Sequence, residues 1–553
     1  MSADEPVPEE PEEPEDPSKF DQPRHGSGDE PDEDPEPEII ASDDTADGTT
    51  ADVTTRQIRG SSLLFVGKLL TMVIHFGSQL LIVRYLSRSD FGAFTYALSF
   101  VTLGQAIATL GLDRAITRFV PIYEERGERG KALGTLVFVS AAVLSLGVAM
   151  LIVVAGLRGA ILGSLTDSAL AVSLLVILIV LAPIQALDSV LMGMFAVYSR
   201  PRAIFFRKYL LEPGLRLVVV LLLIGTGAGV HGLALGYVAA GAVGVVVYTG
   251  ILIRLLRETQ LLSRVAMRSI RFPAREVLGF TIPVLTSDLV YLVMNTSDAL
   301  LLGRYGTVSD VGALRVIQPA ARLNQVVFTS FALLFTPVAA RLFARDDRRG
   351  LDHLYWTTAV WIAVLTFPVL ILTGPLARPV TTFLYEPRYA SSGIYLTLLG
   401  FAYYANAALG FNGLTLKVVG RLRYIVTINV LAAVGNLAIN LILIPTYGPL
   451  GAAIGTTVTL LMFNVMKQLG LRGTGVRLLP AELTRLYLAI LAIPTAILVL
   501  QLTLEPPLLV GLVLGGLASV VVLRMARPSL RADETFPWLM RLPLIRSIVG
   551  RDG

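Results

Sequence analysis

Few side chains in this sequence carry charge within apolar surroundings, and those few bound the chemistry open to it. Lys68, Asp188, Glu212, Arg216, Asp288, Asp298, Arg315 and Arg322 all fall inside runs otherwise built of Leu, Val, Ile, Ala and Phe. A charge at the centre of a bilayer costs about 2.5–3.5 kcal/mol on insertion scales, so each needs a partner or a wet cavity. Glu212 and Arg216 are four residues apart, which puts them on one helix face as a self-neutralising pair. Arg315 and Arg322 are two turns apart and share a face, with Pro319 between them as a source of a kink. Neither has an acidic residue three or four positions away. Two guanidiniums without a same-helix carboxylate suit an anion such as phosphate, which arginine grips through two parallel bonds. Packing against Asp298 is the plainer alternative. Asn295, Asn324, Asn406, Asn412, Asn436 and Asn440 add neutral donors and acceptors of the kind sugar hydroxyls need. Asparagines also tie membrane helices to one another.

Other chemistries lack their residues. The chain has no cysteine and four scattered histidines, His25, His75, His231 and His353, so no thiolate or histidine metal set is expected. No GxxxxGK[ST] or HExxH occurs, and neither an ATPase nor a hydrolase is expected. GTGAG at 225–229 reads as a tight turn between two apolar runs, because no strand precedes it. Any energy source is then a coupling ion (H+ or Na+) or the membrane potential, with no bound cofactor.

The elements that position these residues follow from composition. Of 553 residues, 54% are hydrophobic and 16% charged, against about 25% charged in soluble domains, which excludes an ordinary soluble enzyme. Residues 1–52 hold 20 of the 42 acidic residues and only Lys19 and Arg24 as basic ones. That Pro- and acid-rich segment cannot bury enough apolar surface to fold, so 1–56 is expected to be a disordered tail. From Ser61 onward come apolar runs of about 20 residues, each long enough to span a bilayer as a helix. They lie at 61–84, 91–113, 132–157, 169–197, 204–226, 230–255, 276–303, 309–338, 353–376, 391–416, 422–445, 449–470, 482–503 and 507–526, fourteen in all. With the N-terminus cytoplasmic, the inner loops collect 25 Arg and Lys, Arg207 and Lys208 among them, and the outer loops six. This is the positive-inside bias, and it predicts a plasma-membrane protein with both termini in the cytoplasm.

An internal repeat organises the runs. Arg84-Tyr-Leu-Ser-Arg-Ser-Asp-Phe-Gly-Ala93 and Arg304-Tyr-Gly-Thr-Val-Ser-Asp-Val-Gly-Ala313 share six of ten residues at an offset of 220. Arg200-Pro-Arg202 pairs with Arg421-Leu-Arg423, and Gly232 and Gly236 pair with Gly451 and Gly455. An offset of six helices keeps both halves in one orientation, so the pseudo-twofold axis runs along the membrane normal. The expected domains are an N-lobe at 57–256, a basic amphipathic linker at 257–275 on the inner leaflet, a C-lobe at 276–470, two further helices over 471–526, and a basic tail at 527–553. By the same offset Lys68 and Asp288 face each other across the axis and are expected to form a gating or structural ion pair.

GLDRAITRFVPIYEERGERGKALG (111–134) resembles the second-helix exit of the polysaccharide-biosynthesis flippases. DALLLGRYGTVSDVGALRVIQPAARL (298–323), followed by FTPVAARL (335–342), resembles them also, as does the hairpin YGPLGAAIGT (447–456). These are the O-antigen-type flippases of the multidrug/oligosaccharidyl-lipid/polysaccharide (MOP) exporter superfamily, and the resemblance covers about 60–530. It implies an all-α membrane protein of two parallel six-helix lobes around a cationic cavity, plus two C-terminal helices. It implies alternating-access transfer of a polyprenyl- or dolichyl-(pyro)phosphate-linked oligosaccharide from the cytoplasmic to the outer leaflet. Arg315, Arg322, Arg216, Asn295 and Asn324 are then expected at the headgroup. Lys68, Asp288, Asp298, Glu212 and Asp188 are expected in gating or ion-pair roles. The implied partners are the lipid-linked glycan, membrane lipids, and glycosyltransferases or a polymerase of the same pathway, with no nucleic acid and the chain a monomer. The competing expectation is a cation-coupled multidrug antiporter of the same superfamily, which needs unpaired carboxylates in its cavity.

Overall fold

The computed structural model describes residues 66–157, 159, 166–198, 201–258 and 270–530, without the side chains of 201–202, 282–291 and 333. The tail at 1–56, most of the linker and the last residues, from 531, lie outside the described residues. Among the described residues all regular structure is helical. The first half comprises α1 (Val66–Tyr85), α2 (Arg88–Thr109), α3 (Leu112–Glu125), α4 (Arg129–Gly156), α5 (Ala169–Leu178), α6 (Leu181–Val197), α7 (Pro201–Ile204), α8 (Glu212–Thr226) and α9 (Val230–Glu258). A π-helical turn, Phe205–Leu211, joins α7 to α8. The second half comprises α10 (Ala274–Tyr305), α11 (Val308–Arg315), α12 (Gln318–Ala321), α13 (Asn324–Ala344), α14 (Arg348–Thr373), α15 (Ala377–Tyr385), α16 (Ser392–Ala408), α17 (Asn412–Val418) and α18 (Leu422–Leu469). α19 (Ala481–Leu504) and α20 (Leu508–Leu530) follow.

Eleven of the described helices are long and apolar enough to cross a membrane, and twelve if the bent pair Asn324–Ala332 and Leu334–Ala344 is one span. Outward-facing apolar side chains such as Val246, Ile442 and Leu509, each more than 70% exposed, suit contact with lipid. The 48-residue α18 takes in both runs expected at 422–445 and 449–470. It folds back on itself at Gly448, whose φ of 55° and ψ of −131° suit only a residue without Cβ. Asn436 therefore faces Thr459, and the Tyr424 hydroxyl donates to the Met466 carbonyl at 2.6 Å.

The run expected as one helix over 309–338 is broken twice, at 316–317 and at 322–323. Pro319 lacks an amide hydrogen to bond the carbonyl four residues back, so the ladder cannot pass through it. The repeat appears as matched caps. Ser87 accepts from the Asp90 amide at 3.0 Å at the start of α2, and Thr307 accepts from the Asp310 amide at 3.3 Å at the start of α11.

Core packing differs between the two ends of the helical body. At the end carrying the 86–87, 227–229 and Gly448 turns, one core joins both halves, running through Phe91, Phe94, Leu233, Leu302, Val311, Leu396 and Ile444. At the opposite end the halves have separate cores. One is built on Ile116, Val139, Phe195 and Tyr248, and the other on Tyr355, Phe367, Phe411 and Ile490. α19 and α20 pack only into the latter. The two halves are thus fused through one core at one end, while at the other the start of α10, through Val277 and Phe280, reaches into the first half's core. The end of the linker and the first turn of α10 dock on the first half: the Arg271 amide donates to the Gly130 carbonyl at 3.3 Å, and the Tyr123 hydroxyl to Glu276 at 2.7 Å.

Candidate substrate-binding site

Two polar clusters lie inside the helical body. The first belongs to the N-lobe. The π turn opens the helix by one residue per turn, and it carries Arg207 inward, where only 3% of the residue is exposed. Its guanidinium lies 3.0 Å from Asp188 on α6 and 3.5 Å from Glu212 at the start of α8. Glu212 also pairs with Arg216 at 2.7 Å, the i,i+4 contact expected from spacing. Arg207 rests over the Tyr248 ring, 5.7 Å from its centroid, and Arg216 over the Tyr237 ring at 5.6 Å. Asp188, Arg207, Glu212 and Arg216 line a small cavity with Gln185, Leu181, Ile184, Ala240 and Gly241. The sequence assigned Arg207 to an inner loop, and the structure corrects this: it is a buried cation that two carboxylates neutralise. The spacing of five between Arg207 and Glu212 was the available signal, because it fits a π turn and no α-helical face.

The second cluster lies in the C-lobe and touches the N-lobe. Arg315 ends α11, and its guanidinium donates to Gln318 Oε1 at 2.9 Å, to Ser99 Oγ of α2 at 3.1 Å and to the Asn295 carbonyl at 3.4 Å. Arg322 sits in the second helix break and donates to the Tyr403 hydroxyl at 3.0 Å and to Asn295 Oδ1 at 3.2 Å. It also lies over the Tyr403 ring, 5.5 Å from its centroid. The expectation of two arginines on one continuous face is corrected, since α11 and α13 are different helices. The breaks nevertheless turn both guanidiniums onto Asn295. These five bonds all end on neutral oxygens. Asp298, one turn beyond Asn295 on α10, is 5% exposed and within electrostatic reach of both. Asn324 opens α13 fully buried, and neither of its amide atoms has a hydrogen-bond partner among the described residues. Gln79 of α1 caps the first break, donating to the carbonyls of Arg315 at 3.5 Å and Val316 at 3.3 Å. Nothing in the sequence singled out Ser99, Gln79 or Tyr403, because hydroxyls and amides are common in membrane helices.

The remaining expected residues fall elsewhere. Lys68 is exposed, with its ammonium 3.4 Å from Thr329 Oγ1 of α13. The side chain of Asp288, its expected partner, lies outside the described residues. Two of the asparagines, Asn436 and Asn412, connect helices, and Asn440 bonds Asn436 one turn away on the same helix. Asn436 accepts from Ser297 at 3.2 Å and from Asn440 at 3.2 Å, and Asn412 donates to Asn464.

Comparison with known proteins agrees with this architecture. The family model described as polysaccharide biosynthesis protein matches residues 58–343, just over half of the chain. An uncharacterized membrane protein of Methanocaldococcus jannaschii is 22% identical over 425 residues, covering 72% of this chain and 81% of the relative. Among solved structures, the lipid II flippase MurJ in an inward closed conformation superposes with a TM-score of 0.65 at 14% identity, over 86% of this chain and 100% of that one. An inward-facing multidrug resistance MATE family transporter of the MOP superfamily gives a TM-score of 0.56 at 18% identity, over 73% of this chain and 94% of that one. The two fused lobes, the polar clusters within them and the family match lead to one assignment: this chain belongs to the polysaccharide biosynthesis protein family and has the fold of the MOP-superfamily membrane transporters.

Proposed function

We propose that the protein carries a lipid-linked oligosaccharide, held by its phosphate or pyrophosphate, from the cytoplasmic to the outer leaflet. The observation that carries this reading is the convergence of the Arg315 and Arg322 guanidiniums on Asn295. A phosphate adds full charge–charge attraction and bidentate geometry to what a guanidinium gains from a neutral oxygen, so an anionic headgroup outcompetes these acceptors. The family description, polysaccharide biosynthesis, and the lipid-linked cargo of the superposed flippase support a glycan on a lipid. Asn295, bonded by both guanidiniums, is the amide that meets the sugar hydroxyls in this reading. An inside-negative potential favours outward transfer by about 2.3 kcal/mol per negative charge per 100 mV. The competing reading, a drug antiporter, needs free carboxylates for a cationic drug. Asp188 and Glu212, two of the three acidic candidates with described side chains, are instead neutralised by Arg207 and Arg216.

The test is transfer of a fluorescent polyprenyl-pyrophosphate oligosaccharide across vesicles containing the purified chain. Arg315→Ala and Arg322→Ala are each expected to lower the rate at least about tenfold, and Arg322→Lys to restore only part of it, because the planar fork is lost. Undiminished transfer in both alanine variants, or transport of a cationic dye in place of the glycan lipid, removes the proposal.

A further inference from the structure

At the fused end, Gly92 of α2 and Gly312 of α11 touch. They are the same position of the repeat, 220 residues apart. A Cβ on Gly312 would lie 2.8 Å from the Arg88 carbonyl oxygen and 3.0 Å from the Gly92 Cα. A Cβ on Gly92 would overlap the Val308 carbonyl oxygen. Each glycine therefore meets the carbonyl four residues before the other, as a twofold axis through the contact requires. Both obstacles are backbone, which cannot swing aside as a flexible side chain can.

Two reciprocal clasps flank the contact. Arg84 donates to the Leu384 and Phe383 carbonyls, both at 3.0 Å, in the last turn of α15. Arg388 donates to the Val83 carbonyl at 2.7 Å and the Arg84 carbonyl at 3.2 Å, in the last turn of α1. Last-turn carbonyls have no partner within their own helix and lie at the negative end of its dipole, so each half supplies the acceptors for the other's cation. Arg88 adds a bond to the Ser309 carbonyl at 3.2 Å. The carboxylate described nearest to it, Asp310 at 4.0 Å, is already bonded to Thr307 at 2.8 Å. The clasp can thus part without stranding a buried ion pair, since both a guanidinium and a helix-end carbonyl accept water in exchange.

We propose that the Gly92–Gly312 contact, with the Arg84 and Arg388 clasps, is the gate between the lobes at this end of the protein, held shut by backbone-to-backbone approach and opened by parting at the repeat axis. The inference rests on the carrier reading above and names how its site is closed from that side. A methyl group at Gly312 is then a wedge.

The test uses the full chain, which has no native cysteine. Ser99→Cys serves as reporter: it lies two turns inward from Gly92 and is 4% exposed. Maleimide labelling of this cysteine is expected to be at least about tenfold faster with Gly312→Ala, the equivalent of shifting the gate equilibrium by 1.4 kcal/mol. Arg84→Ala combined with Arg388→Ala should accelerate it also, with no steric change. Gly147→Ala, which presses on Pro183 within the N-lobe alone, is the control and should leave the rate unchanged. A folded Gly312→Ala protein with the unmodified rate overturns the proposal. So does equal acceleration by Gly147→Ala, which means general loosening. If Gly312→Ala does not fold, the double arginine variant decides, and an unchanged rate there overturns it. Labelling needs no cargo, so glycan-lipid transfer by the unsubstituted chain tests the functional reading separately.

Discussion

Arg207 shows what a single buried charge does to a membrane helix. It is held by Asp188 and Glu212 and is almost wholly out of solvent. Removing one member of such a set leaves uncompensated charge in a poor solvent, which typically costs about 3–5 kcal/mol. Arg207→Met is expected to lower the thermal midpoint sharply, and Arg207→Met with Asp188→Asn to recover part of the loss; thermal unfolding followed in detergent checks both. Equal midpoints for the single and double variants would remove the pairing as the cause. The residues of this cluster were partly legible from spacing. The Glu212–Arg216 pair follows from the helical period, whereas Arg207 was hidden by standing close to an apparent loop. Counting charges near span ends cannot separate a charge in the headgroup region from one that a π turn folds inward. The same limit applies to Arg315 and Arg322. Their types pointed to an anion, but their neutral partners Ser99 and Tyr403 come from other helices, and no periodicity reports those.

At the scale of elements, hydropathy located the apolar runs and missed their interruptions. Run length sees how many apolar residues follow one another, and is blind to a backbone that turns without becoming polar. The breaks at 316–317 and 322–323 are of this kind, with only Pro319 as a visible mark. The bend at Gly448 was legible, because Pro445, Gly448 and Pro449 stand together. Its backbone geometry is open to glycine alone, so Gly448→Ala should cost about 1–3 kcal/mol of stability. Gly435→Ala, at a helical position of the same hairpin with space for a methyl group, should cost little or nothing. Comparison of the two thermal midpoints checks this, and equal values would show that the fold-back tolerates strain. The matched caps at Ser87 and Thr307 were visible in the sequence as the repeat itself, since a residue pattern that caps a helix once caps it again at the same offset.

For the whole molecule, the charge bias predicts sidedness, and the missing cysteines make it measurable. A cysteine at exposed Tyr447, next to the Gly448 bend, is expected to react with a membrane-impermeant maleimide in intact cells, and one at exposed Arg472 to resist until the cells are opened. The reverse pattern would invert the topology and place the fused end in the cytoplasm. The two-lobe architecture was legible from the 220-residue offset, but the sharing of one core at one end was not, because a repeat states equivalence and says nothing of contact. That contact also bears on assembly. Two equivalent residues touch only where a symmetry axis passes between them, and a contact of that kind is the mark of an isologous interface. Gly92 against Gly312 is the contact that two half-length chains, each pressing this glycine against its twin, would make across the axis of a dimer. Residues 1–258 and 259–553, expressed as separate polypeptides, should accordingly find each other and co-purify.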